Sequence, residues 1–345
     1  MGNGGNKMVK TNFKDYYQIL APDYPEWLDE YILTPRMQKQ AGISVTCGTI
    51  YTDLFPDSTF YSSLDHSIGV ALIVWNFTHD KKQTLSGLFH DIATPTFKHC
   101  VDFMNGDYMT QESTEELTTK LIEESPEIMA LLKRDGIKVS EVDNYHLYPI
   151  ADNDTPQLSA DRLEYSLSNA AFVYPQTTME HLAEIYRDIE IQTNENGETE
   201  LGFKTKKYAR ELVKLTSRMS VVYRDERTRY SMQFIADILR KISDEGHISV
   251  ADLYEKPESE IIDIIEKSDY AEVFNTWRKA KQIKKSKEEP KDIYYVHHPA
   301  KIRYIDPLFK GERISKQCKI AAKAIEKNLS YDMDYYIFLS KIKQF

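Results

Sequence analysis

Two consecutive stretches with apolar residues at helical spacing constrain the fold of this chain most strongly. Residues 62–77 and 83–92 each repeat such residues every three or four positions, which predicts two helices with one buried face each. The second helix is predicted to end at His90 and Asp91, because Pro95 soon stops it. The apolar positions are Leu64, Ile68, Ala71, Leu72 and Trp75 in the first stretch and Leu85, Leu88, Phe89 and Ile92 in the second.

Helical patterns continue along most of the remaining chain. Thr34-Pro35 indicates a helix start, and Ser113 with Glu116 indicates a capping box. Further helices are predicted over residues 113–124, 126–134, 178–190, 250–254, 258–267, 271–281 and 315–327, and residues 206–242 predict two consecutive helices or one bent helix. The charged positions Arg224, Arg227 and Arg229 within that stretch are expected on a solvated face.

A few segments predict β structure or loops instead. Asn196-Gly197 lies between alternating residues in 189–203, which is typical of a β-hairpin. Residues 294–296 and 302–305 are candidate short strands, and the charged run 281–291 is predicted to be a solvated loop. The predicted fold class is mainly α, a helical bundle with a small β-hairpin and a mixed C-terminal lobe. We divide the chain into a lead-in (1–34), a helical core (35–245) and a C-terminal lobe (246–345).

Length and charge limit the function classes. A chain of 345 residues can bury a sizeable core. Its formal net charge of −10 argues against a general nucleic-acid binder, because phosphate contacts normally need a basic face. A small anionic substrate is still allowed, because a bound metal and a few basic side chains can invert the field inside a pocket.

The three cysteines and the absence of long apolar runs bear on the compartment. Cys47, Cys100 and Cys318 are odd in number and widely spaced, so neither a disulfide framework nor a zinc-ribbon pattern is indicated. No run of eighteen apolar residues and no signal-peptide core is present, so we expect a cytoplasmic protein without membrane contact.

Four side chains along the chain could together bind one divalent cation. They are His66, His90, Asp91 and Asp161. Two imidazoles and two carboxylates suit Mn²⁺, Fe²⁺, Ni²⁺ or Zn²⁺ better than the all-oxygen shells that Ca²⁺ and Mg²⁺ prefer, although Mg²⁺ stays a candidate. The spacing alone leaves the alternative that His66 is an ordinary buried histidine and Asp91 a surface residue at a helix end.

A family resemblance strengthens the metal interpretation. Residues 64–70 (Leu-Asp-His-Ser-Ile-Gly-Val) and 88–92 (Leu-Phe-His-Asp-Ile) resemble the HD-domain superfamily of metal-dependent phosphohydrolases. The branch that they resemble most is that of the deoxynucleoside triphosphate triphosphohydrolases. Residues 161–165 (Asp-Arg-Leu-Glu-Tyr) are similar to the Asp-Lys-x-Asp-Tyr phrase of that branch, and the resemblance covers about residues 35–310.

The resemblance implies a helical HD-domain bundle and a set of site residues. His66, His90, Asp91 and Asp161 would be the metal ligands, and Arg162 and Tyr165 would contact the substrate. His99 matches the last histidine of the family phrase and could bond phosphate or relay a proton; a helix-capping role is the alternative. Proteins of this type commonly assemble, so a homo-oligomer is also implied.

This sequence departs from the family pattern at three places. Ser63 stands where the family has an arginine, Thr94 stands where it has a second histidine, and residues 108–112 lack the downstream histidine. Glu112 or Glu115 could replace that histidine as a proton donor, although both are also typical first-turn carboxylates of a helix. The metal shell is therefore expected to be intact, whereas the triphosphate contacts are reduced.

The function predicted from the sequence is a metal-dependent phosphohydrolase that uses an activated water. Its substrate would be a nucleotide or a related small phosphate ester, with Asp91 as ligand and as candidate base and with His99 and Glu112 as further catalytic candidates. The alternative from another class is a degenerate HD-domain module that binds metal and nucleotide for regulation, with little turnover.

Overall fold

Helices make up most of the structure, a computed structural model that describes residues 13–109 and 117–345. The mainly α class is confirmed, and no helix in these ranges is long and apolar enough to cross a bilayer. The Ser113–Glu116 capping box lies outside the described residues. The helices are Lys14–Leu20 (α1), Leu28–Ile32 (α2), Pro35–Lys39 (α3), Ser63–Thr78 (α4), Lys81–Phe89 (α5), His99–Met104 (α6), Thr118–Glu123 (α7), Pro126–Asp135 (α8), Ala160–Ser168 (α9), Met179–Arg187 (α10), Lys206–Val222 (α11), Glu226–Asp244 (α12), Val250–Glu255 (α13), Glu258–Ile265 (α14), Ala271–Arg278 (α15), Ile314–Gln317 (α16) and Lys319–Leu329 (α17).

Short strands in the described ranges form two small sheets. The first has the order β1-β2-β5-β6, with only the β2–β5 pair parallel, and the second has the antiparallel order β3-β7-β4. The hairpin around Asn196-Gly197 is confirmed as β1 and β2. The strands are Ile189–Thr193 (β1), Thr199–Phe203 (β2), Lys284–Ser286 (β3), Tyr295–Val296 (β4), Leu308–Phe309 (β5), Glu312–Arg313 (β6) and Tyr336–Phe338 (β7).

Helix α4 lies at the centre of the helical part and packs against α5 and α9. Its start is fixed by a capping box in which the Ser62 hydroxyl accepts from the backbone N–H of Asp65 while the Asp65 carboxylate accepts from that of Ser62. Almost every residue from Ser63 to Val74 is buried, which is wider than one predicted stripe. A helix that is buried on most sides needs neighbours on most sides, and α5 and α9 are two of them.

A glycine allows α9 to approach α4 closely. A Cβ on Gly69 would lie 2.6 Å from Cγ and 2.7 Å from Oε1 of Glu164. Neither distance is tolerated by a real side chain, so this contact requires glycine at position 69. The close approach brings the first turn of α9 against the first turns of α4.

Two large hydrophobic cores lie in the described part of the chain, besides a small third cluster around Met219. The larger one unites α1–α5 with α7–α11 and with residues from 305 to 325. The smaller one unites α6, α12–α15 and the last strands, and it contains the fully buried Phe97. The three-part domain division stays a prediction.

The loop that follows His90 and Asp91 is attached to the C-terminal part of the chain. The backbone N–H of Thr96 donates to the Leu253 carbonyl at 2.7 Å, and its hydroxyl donates to the carbonyl of Lys256. From the other side, the Lys39 ammonium donates to the Thr94 carbonyl at 3.1 Å. Residues 94–98 are therefore held by elements far away in sequence.

Two predictions about the C-terminal lobe need correction. The charged run 281–291 has no buried residue, as predicted, but it is not all loop, because residues 284–286 form β3 and pair with β7, whose Ile337 is fully buried. Residues 302–305 form no strand. Residues 206–242 form two consecutive helices, the first of the two forms allowed, because Asp225 caps α12 by accepting from the backbone of Arg227 and Thr228.

The expectation of a solvated face at residues 224–229 was also wrong for two arginines. Arg224 and Arg229 are buried, with 0% and 2% of their surface exposed. The Arg224 guanidinium donates to Asn328 Oδ1 at 2.8 Å, and the Arg229 guanidinium donates to the His298 carbonyl at 2.6 Å. Oxygens from the C-terminal lobe are thus among the acceptors of these side chains, and the local sequence gives no sign of those partners.

The variant Gly69→Ala tests the α4–α9 contact. We expect it to lower the free energy of unfolding by about 2 kcal/mol, because overpacking a well-packed contact forces backbone or side-chain shifts. Gly87→Ala in α5 is the matched control, because its Cβ would meet Val70 at 3.3 Å, a tight contact that a shift of a few tenths of an ångström relieves. Urea unfolding of both variants measures the difference, and equal stability of the two would contradict this account of the contact.

Glu258 gives the fold a pH dependence. This carboxyl is fully buried at the start of α14, and burial raises its pKa to about 7 although the Tyr51 hydroxyl, donating at 2.7 Å, partly offsets the rise. A raised carboxyl pKa means that folding favours the protonated form. The stabilisation is therefore full below the unfolded-state pKa near 4.5 and is lost as the pH rises through about 7.

The variant Glu258→Gln should flatten this dependence. We expect the wild-type melting temperature to fall between pH 5 and pH 8, whereas the neutral variant keeps a more constant value and is the more stable protein at pH 8. Differential scanning calorimetry across that range is the measurement. Glu260→Gln, an exposed change on the same helix, is the control and should leave the wild-type profile as it is.

Candidate metal centre

The side chains of the candidate metal centre come from the ends of three helices. His66 lies in the first turns of α4, His90 directly follows the last residue of α5, and Asp161 lies in the first turn of α9. The start of α9 is fixed by Ser159, whose hydroxyl accepts from the backbone N–H of Arg162 at 3.2 Å. Helices fix the directions of their side chains, so the packing of α5 and α9 on α4 determines the geometry of the centre.

The nitrogen and oxygen atoms of three predicted ligands converge on one point. Nε2 of His66 lies 3.2 Å from Nε2 of His90 and 3.1 Å from Oδ1 of Asp161. Nε2 of His90 lies 3.7 Å from the same carboxylate oxygen. All three ligand atoms lie within 4.8 Å of one another, so these three side chains could hold a metal ion.

Hydrogen bonds on the far side of each ring determine which nitrogen faces the centre with a lone pair. Nδ1 of His66 bonds the Glu164 carboxylate, and Nδ1 of His90 donates to the Gly87 carbonyl at 2.7 Å. Each Nδ1 therefore carries the proton, which leaves Nε2 as the acceptor in the neutral ring. Two lone pairs and a carboxylate oxygen that point at one another repel unless a cation or a proton lies between them.

The electrostatics of the centre also favour a cation. Burial lowers the pKa of His66, but the Glu164 and Asp161 carboxylates outweigh it and raise the pKa to about 10. The carboxylates of Asp161 and Glu164 contact His66, and the carboxylate of Asp91 pairs with the Lys98 ammonium. When His66 is neutral, as a metal ligand must be, three carboxylates and one ammonium leave two negative charges, which a divalent cation neutralises. The donor set therefore fits the implied metal.

Glu164 is a functional residue that the sequence reasoning missed. It is fully buried, and its Oε1 accepts from the hydroxyls of Tyr61 at 2.7 Å and Tyr16 at 3.1 Å while Oε2 bonds His66. A carboxylate behind a metal-binding imidazole fixes the tautomer and the ring orientation. The signal was present in the spacing, because Glu164 follows Asp161 by three residues and so shares its helix face.

Asp91 lies at the edge of the cluster. Its Oδ1 is 3.8 Å from Nε2 of His90, while its Oδ2 accepts from the Lys98 ammonium at 2.5 Å and from the Ser63 hydroxyl at 3.2 Å. Burial raises the pKa of this carboxyl, but Lys98, His90 and His66 together hold it well below the usual range. So low a pKa makes a weak base, which favours the predicted ligand role over the predicted base role.

The positive charge beside Asp91 comes from a residue that the sequence reasoning did not select. This residue is Lys98, whose ammonium also donates to the Ser63 hydroxyl at 3.3 Å. Burial lowers the pKa of Lys98, and the Asp91 carboxylate outweighs it and raises the pKa. No sequence motif around Lys98 indicates that it pairs with Asp91, so this contact is visible only in the folded loop.

The centre opens into a cavity of about 550 Å³. His66, His90, Asp91 and Asp161 line it, so the metal cluster forms part of its wall. A cavity of this size holds a small molecule such as a nucleotide. Its wall also contains the basic residues Lys98, Arg162, Lys301 and Arg303 and the aromatic residues Tyr145, Tyr165, Tyr174, Tyr223 and Tyr304.

Both predicted substrate-contacting residues line this cavity. The Arg162 guanidinium donates to Asn153 Oδ1 at 2.6 Å and to the Gln157 carbonyl at 2.9 Å, which fixes its position. Tyr165 packs edge-on against Tyr223, and burial raises the pKa of its hydroxyl to about 12. The tyrosine is therefore a neutral donor at physiological pH.

His99 lines the cavity as well, whereas Glu112 lies outside the described residues. Nδ1 of His99 donates to the buried carboxylate of Asp102 at 2.8 Å. Burial lowers the pKa of His99, and Asp102 only partly opposes this. A neutral, oriented imidazole at the cavity wall can accept a proton or a hydrogen bond. The catalytic roles predicted for His99 and Glu112 stay predictions.

Comparisons with known proteins agree with a phosphohydrolase-like fold. No family model matches the chain. A protein named metal-dependent phosphohydrolase cns2 from Cordyceps militaris is 28% identical over 148 residues, which is 41% of this chain and 40% of that relative. The alignment thus spans less than half of that protein. An uncharacterised protein, YdhJ of Bacillus subtilis, is 24% identical over 304 residues, 86% of this chain and 88% of its own length.

Two solved structures share the fold over nearly the whole chain. A phosphohydrolase from Bacteroides thetaiotaomicron superposes with a TM-score of 0.57 at 14% identity and covers 93% of this chain and 97% of its own. A hypothetical protein from Aquifex aeolicus gives 0.55 at 15% identity, with 92% and 93% covered. At such identities the likeness concerns the fold, and function must be argued from the site.

Glu164→Gln tests the support behind His66. We expect divalent metal affinity, measured by calorimetric titration with Mn²⁺, to fall about 10- to 100-fold, as is usual when the partner of a ligating imidazole is removed. Tyr16→Phe, which removes a single donor to Glu164, is the control and should change the affinity by less than about threefold. An unchanged Mn²⁺ affinity in the glutamine variant would show that Glu164 serves packing alone.

Proposed function

We propose that this protein is a metal-dependent phosphohydrolase of the HD-domain type. The observation that carries the proposal is the convergence of Nε2 of His66, Nε2 of His90 and Oδ1 of Asp161, with both imidazole rings oriented by acceptors at Nδ1. The metal-dependent phosphohydrolase relative and the phosphohydrolase with the same fold support it.

His66, His90 and Asp161 would hold the cation, and Asp91 would add an oxygen from the side of His90. A divalent transition metal held there supplies Lewis acidity and lowers the pKa of a bound water. The chain itself contributes rigid ligand directions through α4, α5 and α9 and a wall of basic side chains that favours an anionic substrate. Buried surroundings strengthen each of these electrostatic interactions.

His99 is the best-placed proton carrier among the described residues at the cavity wall. Its Nδ1–H is held by Asp102, so its second nitrogen is free of that bond and can accept a proton from water or give one to a leaving oxygen. A buried carboxylate that orients a neutral imidazole is a common arrangement for proton transfer.

We further propose a nucleotide or a related small phosphate ester as the substrate. The cavity volume of about 550 Å³, its tyrosines and its basic side chains match a flat ring joined to an anionic group. A narrower version of this proposal is a nucleoside triphosphate substrate, as the resemblance to the triphosphohydrolase branch implies. The absence of a histidine at residues 108–112 and the serine at position 63 favour a monophosphate or a cyclic phosphodiester over a triphosphate.

Phosphate release by the purified protein tests this function. A panel of nucleotides, cyclic nucleotides and phosphate monoesters is incubated with Mn²⁺, Co²⁺, Ni²⁺, Zn²⁺ or Mg²⁺, and release is followed colorimetrically. We expect Asp161→Ala to lower kcat at least about 10³-fold, because a ligand of the metal is lost. Asp154→Ala, a change at another carboxylate of the cavity wall, is the control and should retain turnover.

The same panel separates the enzyme from the regulatory module. Metal and nucleotide binding without turnover on any ester would contradict the phosphohydrolase and favour the module. In an active enzyme, His99→Ala should lower kcat about 10²- to 10⁴-fold with little change in Mn²⁺ affinity, because proton transfer and metal binding use different groups. Asp102→Asn should lower kcat by a smaller factor, again with little change in Mn²⁺ affinity.

A further inference from the structure

The backbone at Phe97 and Lys98 has an unusual conformation. Phe97 has φ +64°, and Lys98 has φ +46° with ψ −121°. Residues with a Cβ rarely adopt positive φ, and two in succession are rarer still, because the side chain crowds the backbone. Such conformations persist only where the surroundings enforce them, and they cluster at functional sites.

The surroundings that enforce this conformation are well defined. The Phe97 ring is fully buried and meets Tyr51 edge-on, and Thr96 is bonded to the end of α13. The backbone N–H of Lys98 donates to the Pro95 carbonyl at 2.9 Å. A glycine at position 98 would relieve the crowding without loss of these contacts. Local stability therefore gives no reason for a lysine here.

The conformation aims the lysine side chain at the metal centre. Its ammonium donates to Asp91 Oδ2 at 2.5 Å and to Ser63 Oγ at 3.3 Å, and the side chain is 11% exposed. An ammonium has three N–H donors, so these two bonds leave a third. Because Lys98 also lines the cavity, that donor lies beside the space available to a substrate.

A buried ion pair alone does not explain this arrangement. Desolvating a lysine and an aspartate usually costs as much as their attraction returns, so such a pair adds little stability. Asp91 meanwhile keeps Oδ1 on the side of His90. The lysine thus binds the outer oxygen of Asp91 and places a positive charge beside the ligand cluster at the cavity wall.

We propose that Lys98 is a specificity-determining residue that donates a hydrogen bond to a phosphoryl oxygen at the metal centre while it holds the outer oxygen of Asp91. A point charge with several donors suits a tetrahedral phosphate, whose oxygens offer acceptors in several directions. Among the basic residues of the cavity wall, Arg162 already donates hydrogen bonds to Asn153 and Gln157, whereas Lys98 lies beside the predicted metal ligands. This inference rests on the proposed phosphohydrolase function.

The test measures binding of inorganic phosphate to the Mn²⁺-loaded protein by isothermal titration calorimetry, together with Mn²⁺ affinity itself. Lys98→Met keeps the length of the side chain without the charge, and Lys98→Gly removes the side chain and relieves the backbone. We expect both variants to bind phosphate at least about tenfold more weakly, since a charge-assisted hydrogen bond is lost, with Mn²⁺ affinity changed by less than that factor. Lys98→Arg should restore part of the phosphate affinity.

Lys39→Met is the matched control, because Lys39 is a second largely buried lysine that bonds the same loop at the Thr94 carbonyl but lies outside the cavity wall. It should leave phosphate affinity within about threefold of the wild type. Unchanged phosphate affinity in Lys98→Met and Lys98→Gly overturns the inference, as does loss confined to Mn²⁺ binding, which would make Lys98 a positioning residue for Asp91.

These binding measurements are independent of turnover. If the protein hydrolyses no ester, the phosphohydrolase function fails, whereas phosphate titrations of wild type and variants still decide the role of Lys98. If the wild-type Mn²⁺ protein hydrolyses an ester but binds phosphate no better than Lys98→Met does, the function stands and the inference on Lys98 is overturned.

Discussion

The convergence of two imidazole nitrogens and a carboxylate oxygen, which need a cation or a proton between them, is the constraint on which the centre depends. His66 and His90 are each held at Nδ1 by an acceptor on the far side of the ring, so neither can rotate to avoid the other. The fold keeps these groups together because α4, α5 and α9 bury large apolar faces around them. Packing energy spread over the core thus maintains a small site that attracts positive charge.

Much of this site could be predicted from the sequence because, on a helix, the spacing of residues determines the direction in which their side chains lie. The apolar stripes predicted α4 and α5, and the position of Pro95 placed His90 and Asp91 where the helix ends. Asp161 near the start of α9 followed from the resemblance of residues 161–165 to a known phrase. Side chains attached to regular helices carry a signal that periodicity can detect.

The parts that sequence reasoning missed depend on contacts between distant segments. Lys98 reaches Asp91 only because a loop with positive φ is held against α13, and positive φ at lysine has no sequence signature. The strand β3 forms from a charged run because β7 arrives from more than forty residues away. The buried arginines at 224 and 229 find their acceptors in the C-terminal lobe. Tertiary contacts override local preference in each case.

The close approach of α9 to α4 at Gly69 has a consequence for the comparison of related sequences. Because Glu164 fills the space that any side chain at position 69 would need, the two positions cannot change independently. A relative that replaces Gly69 by a larger residue must shorten residue 164 or shift α9, and either change moves a carboxylate at position 164 away from the first histidine. Paired variation at these two positions would therefore mark, among distant relatives, the lineages that have given up this support for the metal centre.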